Sequence, residues 1–551
     1  MSRTAHFGDD AQKALVEGLN YVGNAVKSTM GPAGKTVIIQ KKDKLPVLTK
    51  DGISVAKELS PKDEKIKLGA DLAISIAQKQ MNTVGDGTTT ACVLGQAIVN
   101  NGIRQIELAS DINTVNRTSL RKGIEKAKDY VIKELDKLAT PVDTDERLIQ
   151  VATISANGDE RLGKIVADAY SKVGKAGVVT VEETKERNIN LVFKEGMTLD
   201  RGWTSQYFVT DFENQIVEYD NPMILLCNTR ISNFNTLVNI IEPIVRENQA
   251  VVIIAEGFDS NVTQALVMNR IRANAKIVCI EAPGYGERRL EILRDLGIYL
   301  DGEVAEDPMG MKLEMFTSAN LGSCEKIIIK KDETVIRGGK GDAEKIKDRV
   351  DSIKALIKAT KDSDQWEKDQ LNKRLAALTT GVAIIQVGGS SEEEIKELKD
   401  RIDDAQWACK SALEEGFLPG AGNPLLIISN RLEKEVETNN IDEALGVKIF
   451  ANALKSPFKV ILENAGISSE NIMKDILNKN DVNYGYDARD LKMVNLIESG
   501  IIDPVKATKG AVYAATSIAG LILTSDVCIT EDPVNETAGL SLNMVGGMPG
   551  M

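Results

Sequence analysis

Apolar residues recur at helical spacing over most of the first 140 positions. Leu15, Leu19, Val22 and Val26 lie three or four apart, which puts them on one face of a helix. Residues 68–82, 88–109 and 118–138 repeat the pattern, most regularly at Ile124, Ala127, Val131, Leu135 and Leu138. "ATPVDTDE" (139–146) then punctuates the chain at Pro141. Beyond it the period changes. Strand-like runs appear at 177–182, 191–194, 223–227, 250–255, 276–280, 326–330 and 382–387, with helical segments at 233–247 and 260–273. That alternation predicts an α/β domain. Residues 342–378 are charged and helical, broken near "DSD" (362–364), and read as a solvated helical hairpin. Ser391-x-x-Glu394 is a capping box opening a helix to about Glu415. After "GFLPGAGNP" (416–424) the chain is helical again. Helical ends around an α/β middle fit either domains in series or one helical domain interrupted by an insertion, and periodicity does not separate the two.

At 551 residues the chain exceeds what one core supports, and about three domains is the natural expectation. A net charge of −13 argues against a general nucleic-acid partner, which needs a basic face. It leaves room for nucleotides, which local loops hold. The six cysteines form no Cys-x-x-Cys pair and read as reduced, mostly buried thiols of a reducing compartment. The single histidine, His6, lies near the N-terminus, so His-based catalysis and His-ligated metal are poor hypotheses. "MSRTAHFGDDAQ" carries no apolar signal-peptide core. The most apolar late run, Ala511 to Thr524, has about fourteen residues where a membrane span needs about twenty. The expectation is a cytoplasmic protein with no membrane partner.

Four stretches carry candidate chemistry. "TMGPAGKTVII" (29–39) contains Gly-x-x-Gly-Lys-Thr, but Thr29 stands where a Walker loop needs its first glycine. The order is also reversed, helix before strand. Alone, it is a turn. "VGDGTTTACVLGQAIV" (84–99) is stronger. Gly85 and Gly87 bracket Asp86, and Thr88, Thr89 and Thr90 open a helix, whose free N–H groups and positive end suit phosphate. A carboxylate beside a phosphate seat is repulsive unless a cation lies between, so Asp86 implies a divalent metal, Mg²⁺ most naturally. Read without that chemistry, it is an Asp/Gly turn with a threonine cap. "LTKDGISVAKEL" (48–59) sets Lys50 and Asp51 beside a glycine. In "KDRIDDAQWACKSALEEG" (399–416), Ile402, Ala405, Ala408 and Ala412 form the apolar side, and Asp403 and Asp404 read as a solvated face.

Taken together, "GPAGKTVII", "TKDGISVAKEL", "GDGTTTA", "ISANGDE", "VGKAGVVTVEE", "EGMTLDRGW", "APGYGERR", "NYGYDA", "GIIDPVK" and "SIAGLILT" resemble, in order and spacing, the group I chaperonins of the GroEL type. The resemblance runs from about Phe7 to the Gly/Met tail. It implies a mixed α and α/β subunit of three domains: an equatorial ATP-binding domain from 1–137 and 415–531, an intermediate domain from 138–194 and 383–414, and an inserted α/β apical domain, 195–382. Residues 532–551 would be a flexible tail. It implies an ATPase coupled to protein folding. ATP phosphates would meet Thr29, Met30, Gly31, Pro32, Lys50, Gly87, Thr88, Thr89 and Thr90, with Mg²⁺ on Asp86 and K⁺ at the Thr29 and Lys50 backbone oxygens. Asp51 and Asp404 would position the attacking water. Gly422, Asp487, Ala488 and Asp503 would line the adenosine side. Gly196 and Gly381 match hinge glycines. Trp203, Tyr207, Phe208, Leu237, Val238, Ile241, Leu266, Val267 and Met268 stand where the family displays apolar residues to non-native chains, although by pattern alone they read as core. The implied partners are further copies in a ring of seven, unfolded polypeptides and a co-chaperonin lid.

Four places depart from the family pattern. Ala421 replaces the middle of three glycines. "YDAR" stands for Asn-Ala-Ala, so Asp487 can accept but not donate and Arg489 adds bulk and charge. Ser468 replaces a glutamate of the ring–ring contact, near Lys459, which argues against a standard stacked double ring. The tail is a shortened Gly-Gly-Met repeat. A phosphotransfer enzyme and a ring scaffold without turnover are the competing readings. The first lacks a second polar pocket with a nucleophile, and the second is opposed by Asp51, Asp86 and Asp404 together.

Overall fold

The computed structural model describes residues 3–41, 46–110, 115–174, 178–184, 187–194, 196–212, 214–306, 311–360, 365–379 and 381–531. The expected tail, 532–551, and the hairpin break at 362–364 lie outside them. The chain forms two compact units. One takes both chain ends, Met1–Asp168 and Gly389–Met551, and the other is Ala169–Gly388. The boundaries fall inside 138–194 and near 388, within the segments expected to form an intermediate domain.

The first unit is built of helices, among them Gly8–Lys27, Glu64–Thr83, Thr88–Ser110, Arg117–Leu138, Ile441–Ala453 and Val505–Thr524. Their starts are set by local chemistry. Asp63 accepts from the Lys65 and Ile66 N–H groups, Asn116 from Ser119 and Asn440 from Glu443, each satisfying a donor the helix leaves open. Their apolar faces share one core that joins Leu15, Leu19, Val22, Ile76, Leu94, Ile124 and Val131 to Leu425, Phe450, Val512 and Ile522. The helices Gly8–Lys27 and Glu64–Thr83 meet backbone to backbone at two points. A Cβ on Gly18 would lie 1.9 Å from the Ile66 carbonyl oxygen, and one on Gly69 2.2 Å from that of Leu15. An antiparallel ladder between Arg3–Phe7 and Val527–Glu531 closes the chain ends, a pairing the sequence pattern did not reveal.

The second unit carries a larger sheet. Its order is Ile277–Glu281, Val251–Phe258, Met223–Ile231, Gly322–Ile329, Thr334–Gly339, Gly196–Leu199. The first three strands are parallel and nearly all apolar, as strands covered on both faces must be. A three-stranded sheet sets Val178–Glu183 and Asn190–Lys194 on either side of Val382–Val387. Helices Ala343–Ala359 and Gln365–Thr379 bring Arg349 and Arg374 onto the fully buried Asp295, at 2.6 and 2.7 Å. The expected charged hairpin is therefore not wholly solvated. Among the described residues no helix is long and apolar enough to cross a membrane.

Candidate active site

All of the candidate nucleotide-binding residues lie in the first unit. Residues 28–34 leave the first long helix in a tight turn. Gly31 has φ +82°, and the Gly34 N–H donates to the Gly31 oxygen. Asn464 donates from Nδ2 to the Lys27 and Met30 oxygens, both at 2.9 Å, which pins the turn to the Ser456–Asn464 helix. A short hairpin, Val37–Ile39 with Val47–Thr49, follows and delivers Lys50 and Asp51. Asp51 caps the helix Gly52–Lys57 by accepting from the Ile53 and Ser54 N–H groups at 3.3 and 2.9 Å, so its carboxylate is fixed in direction. A Cβ on Gly52 would lie 2.2 Å from Thr89 Oγ1, so this turn rests directly on the start of the Thr88–Ser110 helix.

That helix start is the expected phosphate seat. Gly85 and Gly87 have φ +82° and +75°, a conformation costly for other residues. Gln80, fully buried, donates from Nε2 to the Asp86 oxygen at 2.5 Å and to the Ala507 oxygen at 3.1 Å, holding the loop from below. The Gly87 N–H donates to Asp86 Oδ1 at 2.6 Å, and Ser155 Oγ lies 3.5 Å from Oδ2. The first N–H groups of a helix have no partner within it, and Ala91 is the first residue here to bond back, to the Gly87 oxygen.

Six carboxylates, Asp51, Asp86, Asp400, Asp403, Asp404 and Asp503, sense one another here. Desolvation, then the Asp51 charge, hold Asp86 above the usual carboxylate range, against the pull of Gly87 and Ser155. Desolvation, then Asp86 and Asp51, raise Asp404 well above it. Desolvation and Asp86 push Asp503 up to about 7. Asp400, with one edge in solvent, is pushed up to about 6 by desolvation, then by Asp51 and Asp403. Among the described residues no lysine or arginine bridges Asp51, Asp86, Asp404 or Asp503. A half-buried set of like charges that no lysine or arginine bridges is poised for a cation. Among the described residues no group of three or more His, Cys, Asp and Glu side chains could hold a metal by itself. The donor set therefore fits an ion that brings other oxygens with it, as Mg²⁺ does with phosphates.

The adenosine side is more altered. Asp487 ends the strand Tyr484–Asp487, and one of its oxygens accepts from the Arg489 and Asp490 N–H groups at 2.8 and 3.2 Å. That oxygen is committed to its own turn. Ala488 is buried in a small core with Phe458 and Ile476. Ala421 has φ +57° and Gly422 φ +70°, so the alanine does occupy a position suited to glycine. Asn423 donates from Nδ2 to the Val482 and Tyr484 oxygens and ties this loop to the hairpin. Asp503 pairs with Leu418 across a two-stranded ladder.

Several residues at the site escaped the sequence reading. Trp407, one turn beyond Asp404, lies against the phosphate loop, for a Cβ on Gly85 would sit 2.0 Å from its ring. Gln80, Ser155 and Asp400 were also missed. Only Trp407 left a signal, as the single aromatic ring on a helix whose buried residues after Ile402 are all small.

In the second unit the expected display of nine apolar side chains fails for four. Phe208, Leu237 and Leu266 are fully buried and Ile241 nearly so, because each packs into the sheet core. Trp203, Val238 and Val267 are half-buried. Tyr207 and Met268 are exposed, together with Phe212, Ile271 and Tyr285. Of the two expected hinges, Gly381 has φ +54°. Gly196 sits in a strand, and a Cβ there would lie 2.2 Å from Val382 Cγ2, so close packing is what demands glycine.

The chain is similar to known proteins over its whole length. Chaperonin CPN60-1, mitochondrial, of Cucurbita maxima is 39% identical over 550 residues, covering 100% of this chain and 94% of that one. Two crystal forms of the chaperonin gp146 from the bacteriophage EL 2 (Pseudomonas aeruginosa), in the presence of ATP-BeFx, share the fold. Their TM-scores are 0.71 and 0.63 at 21% and 23% identity, and each covers 96% of this chain and 99% of its own. Residues 22–533 match the TCP-1/cpn60 chaperonin family. With that match running through both units, and a relative alike over the full length, the chain belongs to the TCP-1/cpn60 chaperonin family and has a chaperonin's role in protein folding.

Proposed function

We propose that the first unit binds ATP with Mg²⁺ and hydrolyses it, and that this turnover drives a folding cycle on non-native polypeptides. The observation that carries the reading is the convergence of Asp51, Asp86, Asp404 and Asp503 on the open helix start at Thr88, without a basic partner. Thr29 to Pro32, Lys50 and Gly87 to Thr90 would seat the phosphates, and Asp86 the Mg²⁺. The metal, when bound, neutralises phosphate oxygens and relieves the repulsion among the carboxylates. Asp51, fixed by two backbone N–H groups, orients the water. Asp404 accepts its proton as the oxygen attacks the terminal phosphorus and the bond from that phosphorus to the bridging oxygen breaks, ADP leaving with the bridging oxygen; the proton returns to solvent as phosphate departs. Trp407 covers the loop and keeps bulk water off. A K⁺ at the Thr29 and Lys50 backbone oxygens would add positive charge beside the phosphates.

The wider cycle follows the family. Copies of the chain would form a ring of seven, whose apical domains hold clients on Tyr207, Met268 and neighbouring apolar groups and hand them into a chamber closed by a co-chaperonin. A three-domain division, with a hinge at Gly381 where the backbone is left-handed, would give that movement its joint. The six free, buried cysteines suit a reducing compartment. The test is ATP turnover and refolding yield for the wild type and Asp404→Ala. Loss of hydrolysis by about a hundredfold or more with nucleotide binding retained is expected, since proton transfer contributes that order. Equal turnover would remove the assigned role, and turnover without any gain in refolding would favour an ATPase of another purpose.

A further inference from the structure

Arg489 stands beside the adenosine side as a departure from the family pattern, and the ATPase cycle gives it no work. Its backbone is fixed, because its own N–H donates to Asp487 at 2.8 Å. The hairpin before and after it, Tyr484–Asp487 with Lys492–Asn495, is tied by Asn423 to the loop at Gly422. The side chain is exposed, yet it crosses to another element. A Cβ on Gly158 would lie 2.2 Å from Arg489 Nη2, 2.9 Å from Cζ and 3.0 Å from Nη1. The guanidinium thus occupies the space where a side chain at 158 would be, and only glycine leaves it room.

That seat is stiff. Asn157 and Gly158 are both left-handed, φ +58° and +83°, and the Gly158 N–H donates to the Thr153 oxygen at 2.8 Å. The turn follows the helix Asp145–Ser155, whose last residue lies against the metal seat, Ser155 Oγ being 3.5 Å from Asp86 Oδ2. A second arginine joins the same helix to the chain beyond the hairpin, Arg147 Nη1 donating to the Ile497 oxygen at 2.7 Å. One wall of the crevice therefore carries Ser155 and the other Asp487 and Ala488, and an arginine spans them from each side. The two differ in one respect. Arg147 has acceptors in Ile497 and Gln150. Among the described residues the Arg489 guanidinium has none. One Asp487 oxygen is taken by two backbone N–H groups, and Asp490 pairs with Lys492 at 2.9 Å. A rigid fork of five N–H donors, seated by packing and left unused where the walls meet, suits the acceptors of a nucleoside, its ribose oxygens and ring nitrogens.

On the reading that ATP occupies this crevice, we propose that Arg489 is a positioning residue for the nucleotide. Seated on Gly158, it straps the adenosine-side hairpin to the turn beyond Ser155 and retains the nucleoside, with no part in cleavage. Calorimetric titration of the full-length chain with MgADP and single-turnover hydrolysis of ATP test this in wild type, Arg489→Ala, Arg489→Lys, Gly158→Asn and the double variant Arg489→Ala/Gly158→Asn. Arg489→Ala binds ADP about fivefold or more weakly, the order of one net hydrogen bond, while the single-turnover rate at saturating ATP stays at the wild-type value. Arg489→Lys falls between the two, since an ammonium keeps the charge but not the flat fork. Asparagine tolerates a left-handed backbone, so Gly158→Asn keeps the turn and displaces the guanidinium. It weakens ADP binding about as much as Arg489→Ala does, and the double variant is no weaker than either single change. Equal ADP affinity in wild type and Arg489→Ala overturns the strap, as do additive losses in the double variant or a single-turnover rate that falls in step with affinity. A wild type that binds no ADP overturns instead the ATP reading on which the strap rests.

Discussion

Ala421 holds a left-handed backbone, φ +57°, next to Gly422 at φ +70°, where an L-residue with a Cβ costs about 1–2 kcal/mol. Ala421→Gly relieves that strain, offset in part by the looser unfolded chain. The expected gain is about 1 kcal/mol, read as a higher urea midpoint with an unchanged slope; a lower midpoint would show the methyl to be packing usefully. Asp503 gives a pH signature. Its folded-state pKa is raised to about 7 from an unfolded value of about 4, so the folded chain binds more protons across that interval. Stability from this group is full below about pH 4 and is lost as pH rises through about 7. Asp503→Asn should flatten that decline in melting temperature. An identical slope in both proteins would mean that the carboxylate is already neutralised by another group.

The Glu392–Glu415 helix shows how far an element can be read from sequence. Its apolar side was legible, and Ile402, Ala405, Ala408 and Ala412 are all buried. Its capping box was half right. Ser391 Oγ accepts from the Glu394 N–H, but the Glu394 carboxylate reaches the Ser390 N–H instead of that of the cap. The neighbouring acidic face looked solvated, because the carboxylates it meets, Asp51 and Asp86, come from the opposite end of the chain and leave no trace in a local pattern. Only the resemblance to a family placed Asp404 at the site. Even that did not reach Trp407, whose value depends on the glycine it covers. Likewise, alternation found the strands of the inserted unit, yet it could not tell which of Phe208, Leu237, Ile241 and Leu266 would be spent on the core. Trp407→Ala uncovers Gly85 and opens the phosphate loop to solvent. ATP turnover should fall about tenfold, chiefly through a raised KM. A KM equal to wild type would show that the indole covers the loop without helping to hold nucleotide.

The whole chain divides where its topology allows. Val178–Glu183 and Val382–Val387 are parallel neighbours, with Val178 opposite Val382, so the inserted segment enters and leaves through adjacent strands. Residues 178–388 contain most of that unit's own core. Expressed alone they should melt in one cooperative transition; a fragment with no such transition would mean that the unit draws its stability from the flanking chain. The flanking unit behaves differently. Its core joins residues near 11–135 to residues near 418–528, and its closing ladder pairs Arg3–Phe7 with Val527–Glu531. On the ribosome, then, the first helices emerge with their greasy sides unmatched and must wait for the last strand to be translated, while the inserted piece finishes early. A folding assistant built this way is itself among the chains most in need of shelter during synthesis.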